Sequence, residues 1–308
     1  MKITLRQLEY LTALAELRSF HKAAAACHVS QPALSTQIKQ LEDQLGLKLL
    51  ERNQRMVLVT PAGEEIVSRA HKVLNGANDL IEAAQALTLP MSGTLRLGVI
   101  PTIAPYFLPR VLPHVREQFP NLRLLLYEEK TDVLVRFLNE GKLDLALLAL
   151  GVELGDLESM DLFQDHFLLA LPEGHSLTKH RTVQQSDLFD QEVLLLEDGH
   201  CLRDHVWPVC ESGGAHELGD FRASSLSTLT QMVSSQVGIT LLPEMSIDVE
   251  VGRSEHIELR HFKKPEPFRV IGLAWRRSAP RKADFTLIGE TFTKLQKKVG
   301  FFKGSPGN

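Results

Sequence analysis

Two of the chain's three cysteines, Cys201 and Cys210, lie nine residues apart in EDGHCLRDHVWPVC, residues 197–210. His200 adjoins Cys201 and Arg203 follows two residues on; Pro208 and Val209 precede Cys210. A thiol reacts as its thiolate, and a free cysteine with a pKa of about 8.5 is mostly protonated at neutral pH. An adjacent imidazole, a guanidinium and the positive end of a helix starting near Cys201 each favour the thiolate. The polar, cationic neighbours mark Cys201 as the reactive thiol, and the apolar setting of Cys210 marks it as a second thiol that could condense with it. Two other readings stand beside this one. Both could be unrelated core cysteines. His200, Cys201, His205 and Cys210 could hold zinc, although their spacing matches no common zinc pattern; the expectation is no metal. Cys27 reads as a small buried residue at a turn, and His28 beside it as structural.

The rest of the chain is that of an ordinary globular protein, 44% apolar and 23% charged over 308 residues, enough for two or three domains. The N-terminus, MKITLRQLEYLTALAEL, interleaves charge with apolar residues, unlike a secretory signal. The longest apolar run, from Leu143 to Val152, is too short to span a membrane. An odd, low cysteine count suits a reducing compartment. The expectation is a cytoplasmic protein with no membrane partner. Net charge is −4, but residues 1–60 carry eight Lys/Arg against five Asp/Glu. A mildly basic head on an acidic body permits nucleic-acid binding by the head.

The elements that must position these residues follow from periodicity and punctuation. Thr4 and Gln7 have capping-box spacing before Leu8, Leu11 and Leu14. SFHKAAAA (Ser19 to Ala26) predicts a second helix whose small residues allow close approach. After the turn CHVS, Ser30 is a good N-cap, Pro32 sits near the first helical position, and Leu34, Ile38, Leu41 and Leu45 share a face up to the stop at Gly46. KLLERNQRMVLVT predicts a short β-ribbon. Ile66, Ala70, Val73, Ala77, Leu80, Ala84 and Leu87 then step by 4 and 3, a heptad seam expected to pair with another helix. TLPMSG (88–93) reads as a hinge. Beyond it, strand-like and helix-like segments alternate in the rhythm of a mostly parallel sheet covered by helices, with room for two lobes.

A helix-turn-helix needs small residues in its first helix, a tight turn, and a polar outer face on its second. Residues 19–45 meet this. Gln31, Pro32, Ser35, Thr36 and Lys39 are the expected contacts of the second helix to double-stranded DNA at a promoter operator, with Arg52 and Arg55 flanking the groove from the ribbon. Readers of this type bind two half-sites as dimers, and the heptad seam supplies a means.

The run AAxxCHVSQPALSxQIKxLExxLG, closed by TPAG, resembles the N-terminal winged helix-turn-helix of LysR-type transcriptional regulators. The resemblance extends over nearly the whole chain. It implies an α/β architecture: a winged helix-turn-helix at 1–61, a linker (dimerisation) helix and hinge at 62–90, and a two-lobed sensor domain like periplasmic binding proteins at 91–300. Lobe I would take about 91–165 plus 269–300 and lobe II about 166–268, leaving a tail at 301–308. It also implies a homodimer or homotetramer, contact with RNA polymerase, no cofactor and no enzymatic turnover. LLLEDGHCLRDHVWPVC, IPTIAPYFLP, YEEKT, FRASSL and KPEPFRVIGL are each similar to the hydrogen-peroxide-responsive branch of that family. On that resemblance Thr102 and Thr131 supply hydroxyls to a peroxide pocket, Arg269 lies near the reactive sulfur, and His200, Arg203 and Asp204 complete the pocket. Cys201 would become a sulfenic acid and Cys210 would resolve it to a disulfide. Nine helical residues span about 13 Å between Cα atoms, against the 5–6 Å a disulfide needs, so a helix here must unwind to oxidise. Pro208 predicts a shorter helix and a stiffer loop around Cys210. Asp220 stands where some relatives are expected to have histidine, a worse neighbour for a thiolate if it pointed inward. The alternatives are a family member that senses a small metabolite in the inter-lobe cleft, and a thiol peroxidase, against which the DNA-binding head argues.

Overall fold

The computed structural model describes residues 3–52, 57–151, 153–252 and 256–300. The chain divides into two compact units that meet in sequence at Thr88 and Leu89.

In the first unit three helices, α1 (Leu5–Leu17), α2 (Phe20–Ala26) and α3 (Gln31–Leu45), precede an antiparallel ribbon of β1 (Leu50–Arg52) and β2 (Val57–Val59) and the long helix α4 (Pro61–Thr88). Local chemistry sets the helix ends. Thr4 and Gln7 form the capping box, the Ser19 and Ser30 hydroxyls accept from Lys22 and Ala33 N–H, and Gly46 ends α3 at φ 67°. Ala23 and Ala24 are buried, so α2 packs closely on the core of Leu11, Leu14, Leu34, Leu41 and Leu49. The Glu42 carboxylate fastens α3 to the ribbon by accepting Leu49 N–H at 2.9 Å and Leu50 N–H at 3.2 Å. Gly63 of TPAG is where α4 meets the ribbon: a Cβ there would lie 2.1 Å from the Leu49 carbonyl oxygen. Along the heptad seam of α4, Ala70 is buried, whereas Val73 and Leu80 are 51% and 74% exposed.

The second unit contains β3 (Gly93–Val99), α5 (Ala104–Gln118), β4 (Leu122–Glu128), α6 (Thr131–Asn139) and β5 (Leu145–Ala149). It continues through β6 (Leu157–Pro172), β7 (Thr182–Val183), β8 (Glu192–Leu196), α7 (Cys201–Ser212), β9 (His216–Ala223) and α8 (Leu226–Ser234). It ends with β10 (Thr240–Pro243), α9 (Ile247–Glu250), β11 (Ile257–Phe262), β12 (Phe268–Arg276) and α10 (Lys282–Val299). β3 pairs in parallel with both β4 and β5 through helical crossovers. The sheet is mixed rather than mostly parallel, a correction to the rhythm read from sequence. β12 lies antiparallel between β5 and β6, and β6 pairs antiparallel with β10 and β11. The reason is the path of the chain: β6 carries it out of the first lobe, and β12 brings it back in the opposite direction. Residues 157–166 of β6 pair with β12, and residues 167–172 pair with β10 and β11. β8 and β9 form a separate parallel pair, bridged to the β10 end at Val193 and Ile239.

The expectation of a helix cut short by Pro208 is overturned: α7 runs unbroken from Cys201 to Ser212. Interior proline costs a helix about 3 kcal/mol. Leu202, Val206 and Cys210, spaced by four, all face inward and are buried, and full burial of such side chains is worth about 1.5–3 kcal/mol each. Packing outweighs the local rule.

Candidate functional site: the Cys201 pocket and the outer face of α3

Cys201 opens α7, so its sulfur sits at the positive end of the helix. It is buried, with 4% of its surface exposed. Around it converge groups from several elements. Thr131 begins α6, Ala149 ends β5, and Arg269 lies near the start of β12. The Thr131 hydroxyl, the Arg269 charge and the Ala149 N–H all favour the thiolate, but burial outweighs them and raises the thiol above its ordinary value, as does Asp204 in lesser measure. Thr131 Oγ1 is itself buried and, beside the neutral thiol, has no well-formed hydrogen bond. A polar oxygen without a partner is costly inside a protein, and here it has a hydrogen to give to whatever charge or ligand appears at the sulfur.

Arg269 is fully buried and held from three sides. It pairs with the Asp165 carboxylate at 2.9 Å, donates from Nη1 to Thr102 Oγ1 at 2.8 Å, and from Nη2 to the Thr102 carbonyl at 2.9 Å. Asp165 also accepts Met245 N–H at 3.1 Å. Thr102 therefore holds the guanidinium in place while keeping its own hydroxyl hydrogen to donate.

The expected role of His200 and Arg203 in sustaining the thiolate needs correction. Burial and the Lys130 charge push His200 below the usual histidine range, so it is neutral at pH 7. Its Nε2 is buried without a hydrogen bond, 3.7 Å from Glu197 Oε1. Arg203 is engaged elsewhere, bidentate on Glu217 at 2.8 and 2.7 Å with Asp198 at 3.1 Å. Asp204 is exposed, and so is Asp220, which does not reach inward. The structure brings Cys201, Thr102, Thr131 and Arg269 together, with His200 at the edge, and turns Arg203 into a support for the loop ahead of α7.

Cys210 lies on the same helix in an apolar setting, 0% exposed, and burial alone pushes its thiol up to about 12. Both thiols are free. Among the described residues no group of His, Cys, Asp and Glu is arranged to hold a metal ion. Sequence reading missed Asp165 and Ala149, and named His205 only as a possible zinc ligand. An aspartate inside the apolar strand FQDHFLLAL was the one available signal, since a buried charge calls for a partner. A backbone N–H carries no sequence signal.

On α3, Gln31, Pro32, Thr36 and Lys39 are exposed and Ser35 is half-buried. Thr36 donates to the Pro32 carbonyl at 2.9 Å. Arg52 ends β1, and Arg55 lies outside the described residues. No helix among the described residues is long and apolar enough to cross a membrane.

Comparison with known proteins adds the following. Residues 5–64 match the family described as bacterial regulatory helix-turn-helix protein, lysR family, and residues 90–293 match the LysR substrate binding domain. The chain is 44% identical over 288 residues to the DNA-binding transcriptional dual regulator OxyR of Escherichia coli K12, covering 94% of each. Among solved structures it is similar to a full-length cysteine-to-aspartate variant of OxyR from Pseudomonas aeruginosa, with TM-score 0.77, 36% identity, and coverage of 95% of this chain and 98% of that one. It is also similar to a hydrogen-peroxide-bound cysteine-to-serine mutant of Corynebacterium glutamicum OxyR, with TM-score 0.67, 33% identity, and coverage of 97% and 94%.

Proposed function

The chain belongs to the LysR family of transcriptional regulators, in its OxyR branch, and on that premise we propose that it is a DNA-binding regulator switched by hydrogen peroxide through a disulfide between Cys201 and Cys210. The observation that carries the reading is the convergence of Thr131, Ala149 N–H and Arg269 on one buried sulfur at a helix N-terminus. Peroxide is small and uncharged, so it needs hydrogen-bond partners rather than an ion clamp; Thr131, Thr102 and neutral His200 are such partners.

In the first step the Cys201 thiolate attacks one peroxide oxygen. An S–O bond forms, the O–O bond breaks, and the departing hydroxide takes a proton to leave as water. Sulfur gives up two electrons and peroxide is reduced. Arg269 and the helix end stabilise the anionic sulfur and the developing hydroxide. In the second step the Cys210 thiolate attacks the sulfenic sulfur, an S–S bond forms, the S–O bond breaks, and a second water leaves. Both cysteines lie in one helix about 13 Å apart, so the second step requires α7 to unwind. That local refolding is the signal.

In this reading residues 1–61 bind operator DNA through Gln31, Pro32, Ser35, Thr36 and Lys39, with Arg52 and Arg55 flanking. Residues 62–90 join two copies, and residues 91–300 sense the oxidant. The assembly is a homodimer or homotetramer in the cytoplasm that contacts RNA polymerase, and it is not an enzyme: each oxidation is stoichiometric. Rapid mixing with peroxide, sulfenic-acid trapping and peptide mass analysis test the switch. Cys210→Ser should accumulate a trapped adduct on Cys201 and form no intramolecular disulfide. Cys201→Ser should lose the response. A trapped adduct on Cys210 at the wild-type rate in Cys201→Ser would reverse the roles, and two cysteines no faster than a free thiol would end the reading.

A further inference from the structure

We propose that His205 is a positioning residue that holds Cys201 in its reactive pose and resists its departure toward Cys210. The inference rests on the peroxide-switch reading and adds a residue to it. His205 lies one helical turn after Cys201. Its Nδ1 is 2.6 Å from the Cys201 carbonyl oxygen, and its Nε2 is 2.8 Å from the Leu150 carbonyl oxygen. Carbonyl oxygens only accept, so the ring supplies the hydrogen: one in either neutral tautomer, two in the imidazolium. With a hydrogen on Nε2, as in the Nε2–H tautomer or the imidazolium, this side chain ties the first turn of α7 to the end of β5.

That strand end also faces the sulfur. Ala149 directs its N–H at Cys201. The next residue, Leu150, carries the acceptor for His205 and donates its own N–H to the Val270 carbonyl at 2.8 Å, next to Arg269. The third, Gly151, stands at φ 98°, and a Cβ there would come within 3.5 Å of His205 Nε2, so the ring is seated against the backbone. The sulfur and the imidazole are thus registered on three consecutive residues that are themselves bonded to the strand bearing Arg269. Pre-organisation of a reactive group depends on support of this kind.

The far end of α7 is anchored differently. Cys210 is 0% exposed, and at Gly213 a Cβ would lie 2.2 Å from the Gln185 carbonyl oxygen. In this proposal the Cys201 end is the one that moves, and it cannot leave Ala149 without breaking the bond from His205 to Leu150. The contact belongs to the helical, reduced state. It helps the attack on peroxide by fixing the sulfur, and it opposes the resolving step by holding the helix.

The test measures both steps on the full chain, with sulfenic-acid trapping for the first and the mass of the alkylated 201–210 peptide for the second. Loss of a net hydrogen bond changes a rate about three- to tenfold. His205→Leu should slow sulfenic-acid formation and speed its conversion to disulfide, each by about that factor. His205→Gln, which keeps an amide donor, should lie closer to wild type in both. Should His205→Leu fail to fold, His205→Asn, too short to reach Leu150, must show the same opposite-signed split. The clamp is overturned alone if the wild type forms its disulfide normally and the variant slows both steps alike, changes neither beyond about twofold, or is matched by His205→Gln. A wild type that forms no Cys201–Cys210 disulfide sinks the switch and the clamp together.

Discussion

Thr131 places a buried hydroxyl beside the reactive sulfur with no well-formed hydrogen bond to satisfy it. Thr131→Val keeps the shape and removes the hydrogen, so it should slow sulfenic-acid formation about tenfold, the worth of a hydrogen bond to a charge, and leave the product unchanged. Peroxide mixing at matched pH measures this. The pH dependence has a definite sign. Burial holds Cys201 above the ordinary thiol value, so the sulfur carries its proton at neutral pH and the thiolate fraction grows as pH rises. The initial oxidation rate should still be climbing past about pH 8.5, where a free thiol begins to level off; a plateau near neutrality would mean that the pocket favours the anion. A further residue-scale outcome concerns Asp165. It and Arg269 are both 0% exposed, and breaking a buried pair costs about 3–5 kcal/mol. Asp165→Asn should lower stability by that order in urea unfolding and slow the first step. The cysteines were legible in the sequence because their types and neighbours differ from the background. Asp165 and Ala149 were not, since their roles depend on strands distant in sequence meeting at one point.

At the scale of elements, α7 shows what local rules can and cannot give. The helix starts and stops of the first unit were readable because serine, threonine and glycine act on their own backbone. The length of α7 was not, because burial of Leu202, Val206 and Cys210 overrides Pro208. The antiparallel placement of β12 was hidden for the same reason: pairing is non-local, and alternation of strands and helices does not reveal direction. Pro208 has a kinetic consequence. It removes the N–H that would otherwise bond the Asp204 carbonyl, so α7 is held by packing with a weak point between the two cysteines. Pro208→Ala restores that donor and should strengthen the helix by up to about 3 kcal/mol. Disulfide formation should then slow while sulfenic-acid formation at Cys201 stays unchanged. Stopped-flow measurement of the two phases decides it. Equal disulfide rates in both proteins would mean that unwinding is not the barrier.

For the whole molecule, charge and assembly must be reconciled. The chain is −4 overall: residues 1–60 carry eight Lys/Arg against five Asp/Glu and residues 261–308 carry eleven against three, so the acidic excess lies in residues 61–260. The head's basic excess is small, so one head offers few phosphate contacts and binding two half-sites adds to them. Leu80 in α4 is 74% exposed and Val73 51%, an apolar seam left uncovered in a single copy. Leu80→Asp puts a charge into that seam and should yield monomers by sedimentation. The salt dependence of DNA binding then carries the argument further. The slope of log K against log salt is about −0.9 per phosphate contact. Halving the number of heads should about halve that slope in Leu80→Asp. Lys39→Ala should remove about two contacts' worth from the slope of the dimer but about one from the monomeric variant, because each copy contributes a single Lys39. A folded Leu80→Asp protein that remains dimeric with the wild-type slope would place the interface elsewhere. An unchanged slope in Lys39→Ala would remove that lysine from the phosphate contacts; the proposed contacts of Gln31, Ser35 and Thr36 carry no charge and do not enter the slope.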